Sequence, residues 1–588
     1  MPPIPPRAAS VVRARVLPVF AASIVSVTAL SFTLYTLHSH AHPPARADEA
    51  DIQSEKDNLL PTEVKQPSSI LASAGYSPYT PLGWGSNRYL TLQPDATNTV
   101  LKKPVPLPQF GATPLRDLVV AEKYGAAVDA RGDCWMWGAG YDPSGRIGRC
   151  LRGKNLKQLA PAPGKVIALS SNGRLYAFSA SKAFQDHRQD LAEQSWWSLS
   201  RLFGRDPGSD YVELKAEGGL KRGEKWTGLS AGAHHILALT SSGRTFSMPL
   251  SPSGNSHRQL GTRQEFDTTP SSSSSFPLST ISQNSLELPA ESDPRFTTTL
   301  TEIPALRGTT IAQVAASDRS SFARTPNGRV LGFGANESGQ IGLGANTTVE
   351  TVALPVEVVL ARNYSGGTSV QCLDVSAGGQ TTFFTVRREA PGKQTAIDLL
   401  ACGNGITGAL GNGLWSSASG LPSRVKTVSG LTEYSEKTSS FLPLGIHRIS
   451  ISPSPSPHVF AILDTLAHAD PAGIKAGQYG MDVMVWGGNA DYQLGNAKRS
   501  SLAVPQHLPM LIQRQIQDQD DQAKGKGKKE SEISSGTRSP MPHSRLQLHQ
   551  SKADAYDLDG KLIKRGVTCE ETVVAGWNAS VLYNKIID

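Results

Sequence analysis

A glycine-rich unit that recurs along the chain constrains the fold more than any other feature of the sequence. Its clearest copy, at residues 330–346, reads VLGFGANESGQIGLGAN and holds five glycines in seventeen positions. Less regular copies read WMWGAGYDPSGRIGRC, ACGNGITGALGNG and VWGGNADYQLGNA. A chain of 588 residues allows either two or three ordinary domains or one large closed array. The repetition of one unit favours the array, because such units bury their apolar faces by stacking.

The repeated units have the sequence pattern of antiparallel β-hairpins. Four of them place a tight turn with glycine between two β-prone stretches: Ala130–Asp133, Ser171–Gly173, Ser241–Gly243 and Pro326–Gly328. Glycine adopts a positive φ in such turns without steric cost, and Asn or Asp favours the same turns. A single hairpin cannot bury both of its faces, so the units are expected to pack against one another.

The two ends of the chain look like two halves of one unit. The segment VVAGWNASVLY at residues 573–583 matches the first half of a unit, and no second half follows it. The segment YTPLGWGSN at residues 79–87 matches a second half without a first. Six internal units and this shared one predict an all-β fold: a seven-bladed β-propeller that is closed by N- and C-terminal strands.

These residues also carry a family resemblance. GRVLGFGANESGQIGLG and LSAGAHHILALTSSGR are similar to the regulator-of-chromosome-condensation repeat, and Gly339–Gly342 and Tyr492–Gly495 fit its Gly-Gln-Leu-Gly element. The resemblance covers roughly residues 79–510 and 567–588, and it is weak at 166–179, which lack the histidine and the glycine-rich tail. It implies the propeller fold. In particular, the chain resembles fungal mitochondrial inner-membrane members of this family that are implicated in assembly of respiratory complex III.

The repeated glycines are expected to shape the blades rather than to bind a ligand. No Gly-Lys-Ser or Gly-Lys-Thr sequence ends any of the glycine-rich stretches, which argues against a phosphate-binding loop. Glycine also permits close approach of two backbones. The predicted structural positions are Gly85, Gly138, Gly232, Gly334, Gly339, Gly342, Gly378, Gly403, Gly487, Gly495 and Gly576.

The first fifteen residues have the composition of a mitochondrial targeting segment. This segment contains three arginines, Arg7, Arg13 and Arg15, and the first acidic residue of the sequence is Asp48. Arginine-rich, acid-poor sequence is typical of a transit segment. A secretory signal anchor and a cleaved signal peptide are the alternatives.

An uncharged stretch of 22 residues, 16–37, follows the arginines and predicts a single transmembrane helix. Residues 38–75 are then a linker, and 76–588 form the propeller. The arginines before the span and the acids after it favour the mitochondrial inner membrane with the propeller in the intermembrane space. A different sorting route would reverse that orientation.

Inserts of unequal length interrupt the units. Residues 180–225 include a candidate amphipathic helix whose partner-contact candidates are Trp196, Trp197 and Phe203; local packing is the alternative role. Inserts at about 251–300 and 513–555 are rich in Ser, Thr, Pro or charged residues, and they are expected to be disordered.

The sequence contains no motif in a setting typical of an enzyme. The Gly-x-Ser-x-Gly spacing occurs at 228–232 (GLSAG), but it lies in a repeat unit with the pattern of a hairpin and not at a strand-to-helix turn. His-Glu-x-x-His is absent, and the five cysteines lack the spacing of a zinc site. We therefore expect no catalytic residues, no cofactor and no metal; the alternating His38, His40 and His42 are interpreted as a polar flank. The formal charge of +8 is modest for the length, so no nucleic-acid partner is expected.

The functional hypothesis combines these points. The sequence predicts a non-enzymatic, inner-membrane-anchored propeller that binds protein partners and assists assembly or stability of a mitochondrial respiratory complex. Subunits of that complex or assembly factors are the expected partners, and complex III is implied by the resemblance alone. The alternative is a guanine-nucleotide exchange factor or another regulator of a small GTPase, a role that some relatives have.

Overall fold

The computed structural model describes residues 76–186, 210–262, 289–344, 349–469, 480–508 and 545–587. All of these belong to the unit Lys65–Asp588. The described residues form mainly antiparallel β-sheet, as the hairpin pattern predicts, with a few short helices. The 3₁₀-helices are Pro108–Phe110, Pro304–Leu306, Leu360–Asn363 and Lys426–Val428, and the short α-helix α1 is Leu466–Ala469.

Four sheets are built from strands that are consecutive along the chain. The first contains β3 (Asp117–Val120), β4 (Gly125–Val128), β5 (Cys134–Trp137) and β6 (Gly148–Leu151). The second contains β15 (Gln313–Ala316), β16 (Ser320–Arg324), β17 (Val330–Ala335) and β18 (Thr351–Glu357). The third contains β19 (Ser369–Gly378), β20 (Thr381–Glu389), β21 (Ala396–Gly403) and β22 (Ser419–Arg424). The fourth contains β25 (Ile446–Ile451), β26 (His458–Leu463), β27 (Met481–Gly487) and β28 (Leu502–His507), and β29 (Gln547–Leu548) pairs with β27.

A fifth sheet joins both ends of the described chain. Its order is β2-β1-β32-β31-β30, with β1 (Leu82–Ser86), β2 (Val100–Pro106), β30 (Gln550–Tyr556), β31 (Leu562–Ala575) and β32 (Ala579–Ile586). Strand β1 pairs with β32 in antiparallel register, with Leu82 opposite Leu582 and Gly85 opposite Ala579. The segments 79–87 and 573–583 therefore contribute to the same sheet.

An eight-stranded sheet takes the place of two separate blades. It contains β7 (Leu156–Ala162), β8 (Lys165–Ser170), β9 (Leu175–Ser179), β10 (Val212–Ala216), β11 (Trp226–Ala231), β12 (His235–Thr240), β13 (Thr245–Pro249) and β14 (Thr299–Glu302). The parallel pairing of Lys215 with Thr299 and of Ala216 with Leu300 joins its two halves. A two-stranded hairpin, β23 (Thr432–Ser435) and β24 (Ser440–Pro443), completes the described strands.

The predicted fold class is therefore wrong in two respects, although the structure is all-β and propeller-like. The described residues form five separate sheets of four or five strands instead of seven separate blades, because the β10–β14 pairing merges two predicted blades. The predicted transmembrane helix at 16–37 is not supported. That stretch lies outside the described residues, and six Ser and Thr side chains dilute its apolarity. Within the described ranges, no helix is long and apolar enough to cross a membrane.

The targeting segment 1–15 and the whole linker 38–75 also lie outside the described residues. Parts of both predicted disordered inserts adopt regular structure, because β14 continues the sheet of β13 and β30 pairs with β31.

Buried tryptophans tie the glycine-rich loops to the sheets. Trp84, Trp137 and Trp486 are essentially inaccessible to solvent. Each indole Nε1 donates to a backbone carbonyl oxygen of a loop: Trp84 to Gln493 at 2.9 Å, Trp137 to Thr91 at 2.6 Å and Trp486 to Ala409 at 2.7 Å. A buried indole N–H needs such a partner, so each tryptophan fixes the position of its loop as well as filling the core.

Candidate functional site

The most exposed aromatic pair of the described residues lies on the hairpin β23–β24. Tyr434 and Phe441 are direct cross-strand partners, and their rings meet edge to face with centroids 5.4 Å apart. Tyr434 is 52% exposed and Phe441 is 56% exposed. Aromatic side chains are enriched at the centres of protein interfaces, and this pair leaves most of its apolar area in solvent.

Hydrogen bonds close the base of this hairpin and hold it on the body of the fold. Leu444 N donates to Leu431 O at 2.9 Å across the base, and Gly430 N donates to Ile397 O of β21 at 2.7 Å. The carboxylate of Glu433 accepts a hydrogen bond from the backbone N–H of Leu466 at 2.8 Å. The hairpin is thus anchored at its base while its aromatic face remains open.

A second exposed apolar cluster lies beside β28. Leu414 is 61% exposed, Trp415 is 56% exposed and Val504 is 43% exposed. Gly413 N donates to Ala503 O at 2.9 Å, which places the 413–415 segment alongside β28. The cluster offers an exposed tryptophan to a protein partner.

A cavity of about 830 Å³ is lined mostly by Ala, Val, Ser and Gly residues. They belong to strands β3, β7, β11, β15, β19, β25 and β31 and to adjoining loops. Its described lining includes Glu122, Glu291, Asp318 and Lys123, and it contains no histidine or cysteine. Burial raises the pKa of Asp318 to about 6, with the charge of Arg319 opposing that rise. Small residues with a few charged groups are typical of the lining of a ligand pocket.

One group of side chains could hold a metal ion. The possible ligand atoms of His447, Asp464 and His468 all lie within 4.8 Å of one another. Hydrogen bonds to Asp464 and Glu570 raise the pKa of His447 to about 9. Burial opposes ionisation of Glu570, but its hydrogen bonds from His447 and Gln550 outweigh burial and bring its pKa to about 2.

Comparison with known proteins identifies the repeat. The sequence profile described as "Regulator of chromosome condensation (RCC1) repeat" matches residues 327–385, and a second profile of the same description matches residues 311–340. The chain contains RCC1 repeats. This confirms the family resemblance that the glycine-rich units suggest.

Two curated relatives share parts of this RCC1-repeat chain. Protein FMP25, mitochondrial, from Saccharomyces cerevisiae is 22% identical over 342 residues, which cover 55% of this chain and 54% of that protein. Protein pim1 from Schizosaccharomyces pombe is 23% identical over 246 residues, which cover 40% of this chain and 37% of that protein. The chain thus spans about half the length of the first relative and less than half the length of the second.

Two solved structures are also similar to this chain, at low sequence identity. Prp20p from Saccharomyces cerevisiae, which binds Gsp1p and histones, is 15% identical with a TM-score of 0.49, covering 87% of this chain and 92% of that chain. Human WBSCR16 is 14% identical with a TM-score of 0.48, covering 87% of this chain and 100% of that chain.

The predicted glycines of the RCC1 repeats occupy three kinds of place. Those at or beside the end of a strand have φ between 93° and 108°, and they are Gly85, Gly138, Gly334, Gly403 and Gly487. Those in turns also have positive φ, and they are Gly339, Gly342 and Gly495. The third kind lies close to a neighbouring sheet. An added Cβ would meet a backbone carbonyl of that sheet or of its adjoining loop at Gly232, Gly378 and Gly576. None of them lies in the exposed hairpin.

The predicted partner-contact residues Trp196, Trp197 and Phe203 lie outside the described residues, so their role stays a prediction. The hairpin residues Tyr434 and Phe441 were missed by sequence reasoning. The signal was present, since the stretches TEYS and SFLP flank a short polar turn. That segment was missed because it lies between two repeat units, at 374–405 and 449–489, and does not match the repeat pattern.

Proposed function

We propose that this chain is a non-enzymatic, protein-binding propeller of mitochondria that assists assembly or stability of a respiratory complex. The single observation that carries the binding role is the open aromatic face of the β23–β24 hairpin. Tyr434 and Phe441 together expose more than half of their surfaces on an element whose base is held firmly. Burying such a pair against a partner is favourable, because apolar area removed from water contributes about 25 cal/mol per Å².

The mitochondrial setting rests on the similarity to Protein FMP25, mitochondrial, and on the arginine-rich start of the sequence. The respiratory complex, and complex III in particular, rests on the resemblance to fungal family members. The body of the fold is expected to act as a rigid platform, because RCC1-type sheets present loops and hairpins at fixed positions.

The binding role is tested by purifying the tagged full chain from mitochondria in three forms: the unsubstituted protein and two variants. The variant Tyr434→Ser/Phe441→Ser removes the aromatic face. The variant Tyr89→Ser/Tyr556→Ser removes two other exposed tyrosines, which are 38% and 36% exposed, and serves as the matched control. Complex III subunits or assembly factors, quantified by mass spectrometry, are expected to be lost from the first variant and retained by the second.

Equal recovery of these subunits with both variants would contradict the hairpin as the binding element. Their absence from the unsubstituted protein as well would contradict the proposed respiratory role. The alternative role as an exchange factor has its own test: accelerated nucleotide release from a mitochondrial small GTPase by the purified chain would replace the assembly proposal.

A further inference from the structure

Three side chains meet near the base of the hairpin from separate elements. His447 lies in β25, Asp464 directly follows β26, and His468 lies in α1. The antiparallel register pairs Ile446 with Leu463, so His447 and Asp464 become neighbours across the strand end. The fold therefore assembles a cluster that no sequence spacing reveals.

The distances in this cluster match those between the ligands of one ion. His447 Nδ1 lies 3.4 Å from Asp464 Oδ1, and the ring centroids of His447 and His468 are 6.0 Å apart. Tetrahedral Zn²⁺ with bonds of about 2.0–2.1 Å separates two ligand atoms by about 3.4 Å. The first pair already has this spacing, and all three ligand atoms lie within 4.8 Å, so a small rotation of His468 would close the set.

The other nitrogen of His447 is held by a carboxylate. Its Nε2 atom lies 3.1 Å from Glu570 Oε1, and Gln550 Nε2 donates to the second oxygen of Glu570 at 3.0 Å. Histidines that bind metals usually donate their other N–H to a carboxylate or carbonyl, which fixes the tautomer and the orientation of the ring. This arrangement leaves Nδ1 of His447 for an ion.

We propose that His447, Asp464 and His468 form a site for a divalent transition-metal ion, with Zn²⁺ the best match, and that Glu570 positions His447. Two imidazoles and one carboxylate are the ligand types that Zn²⁺ takes. The side chains of His447 and Asp464 are about one quarter exposed, so an ion can enter from solvent and keep water as its fourth ligand. On binding, Nδ1 of His447 releases its proton to solvent, while Nε2 retains its own proton and donates it in the hydrogen bond to Glu570.

The site has a structural link to the hairpin that is independent of the proposed function. Asp464 N donates to Gly445 O at 3.0 Å, and Glu433 accepts the hydrogen bond from Leu466 N at 2.8 Å. An ion that joins β25, Asp464 and α1 would therefore restrain the segment 430–445 as well. Zn²⁺ is expected to slow proteolytic cleavage of the hairpin.

The test measures Zn²⁺ binding to the full chain by titration calorimetry. His38, His40 and His42 offer a second metal-binding stretch, so all measurements use the background His38→Ala/His40→Ala/His42→Ala. One saturable Zn²⁺ per chain is expected in this background. His447→Ala and His468→Ala are expected to weaken binding by at least 100-fold, and Glu570→Gln by about 10- to 100-fold.

His257→Ala is the matched control, because His257 also pairs with a carboxylate, Glu337 at 3.0 Å, outside the cluster. It is expected to leave the affinity unchanged. An alanine variant that fails to fold would also lose binding. The shape-conserving variant Asp464→Asn is therefore examined as well, through the visible absorption of bound Co²⁺. Absence of saturable binding in the background chain, or an affinity that Asp464→Asn and His447→Ala leave unchanged, would overturn the site.

Discussion

The Nε2 atom of His458 lies 2.9 Å from the Oγ atom of Ser580, and the same Oγ donates to the backbone oxygen of Gln493 at 2.8 Å. His458 belongs to β26 and Ser580 to β32, so this relay joins two neighbouring sheets. A serine hydroxyl has a single hydrogen, which goes to the carbonyl, so the imidazole must donate from Nε2. The network thus assigns the neutral tautomer with its proton on Nε2.

The same relay recurs elsewhere in the fold. His235 Nε2 lies 2.8 Å from Ser321 Oγ, which donates to Gln259 O at 2.6 Å. Burial lowers the pKa of both His235 and His458 to about 3. A repeated histidine in the second strand of a unit therefore ties one sheet to the next and remains uncharged.

Removing either end of the relay is expected to destabilise the fold. Ser580→Ala leaves the buried Nε2–H of His458 without an acceptor and should cost about 1–3 kcal/mol. His458→Ala adds a cavity to the lost hydrogen bond and should cost about 2–4 kcal/mol. Urea denaturation followed by tryptophan fluorescence measures both. Equal stability of the unsubstituted chain and Ser580→Ala would show that the relay contributes nothing.

The buried histidines should also make stability depend on pH. Their pKa is about 3 in the folded state and 6.5 as the ordinary value, so between these limits the unfolded chain binds more protons. Stability is therefore complete above pH 6.5 and falls as the pH drops below it, by up to about 1.4 kcal/mol per unit for each histidine. Urea midpoints from pH 7 to pH 5 measure this slope. His235→Gln/His458→Gln should flatten it, and an unchanged slope in that variant would contradict the assignment.

Gly85 tests the pairing between the two ends of the described chain. Its φ is 104°, and an added Cβ would lie 2.6 Å from the backbone oxygen of Asn578, which precedes β32. Gly85→Ala should cost more than the roughly 1–3 kcal/mol of backbone strain alone, because the two strands must separate. Gly308→Ala is the control, since Gly308 has φ of 80° and open space around it. Thermal melting should show the larger loss at Gly85, and equal losses would mean that the close contact is absent.

The exposed hairpin should be nearly neutral for stability. A cross-strand aromatic pair in solvent contributes about 0.2–1 kcal/mol. Tyr434→Ser/Phe441→Ser is therefore expected to leave the melting temperature within about 2 °C of the unsubstituted chain. A much larger drop would indicate that the pair packs on the body of the fold, and the loss of partners from that variant would then have a structural explanation.

The repeat, the tight turns and the all-β character follow from local sequence, because glycine turns and alternating apolar residues act over a few residues. The eight-stranded sheet could not be predicted this way. Strand β10 reaches β14 across more than eighty residues, through a parallel pairing of only two residue pairs that leaves no periodic signal. Strand β30 was also not predicted, because its polar composition is typical of a disordered insert.

The candidate sites were harder to foresee than the blades. His447, Asp464 and His468 carry no motif spacing, and only the register of β25 with β26 brings them together. Tyr434 and Phe441 stand among ordinary strand residues in the sequence. They are candidates because they are exposed, and exposure depends on the tertiary packing, which the local sequence does not show.

The most direct test of the central claim is photo-crosslinking from the hairpin in intact mitochondria. A photoreactive phenylalanine replaces Tyr434 in one full-length chain and Tyr89 in another. Position 434 is expected to capture a specific subunit or assembly factor of a respiratory complex, with complex III the first candidate. Position 89 is not expected to capture it. Cross-links from both positions to the same abundant proteins, or none from position 434, would contradict the hairpin as the surface through which this RCC1-repeat propeller acts.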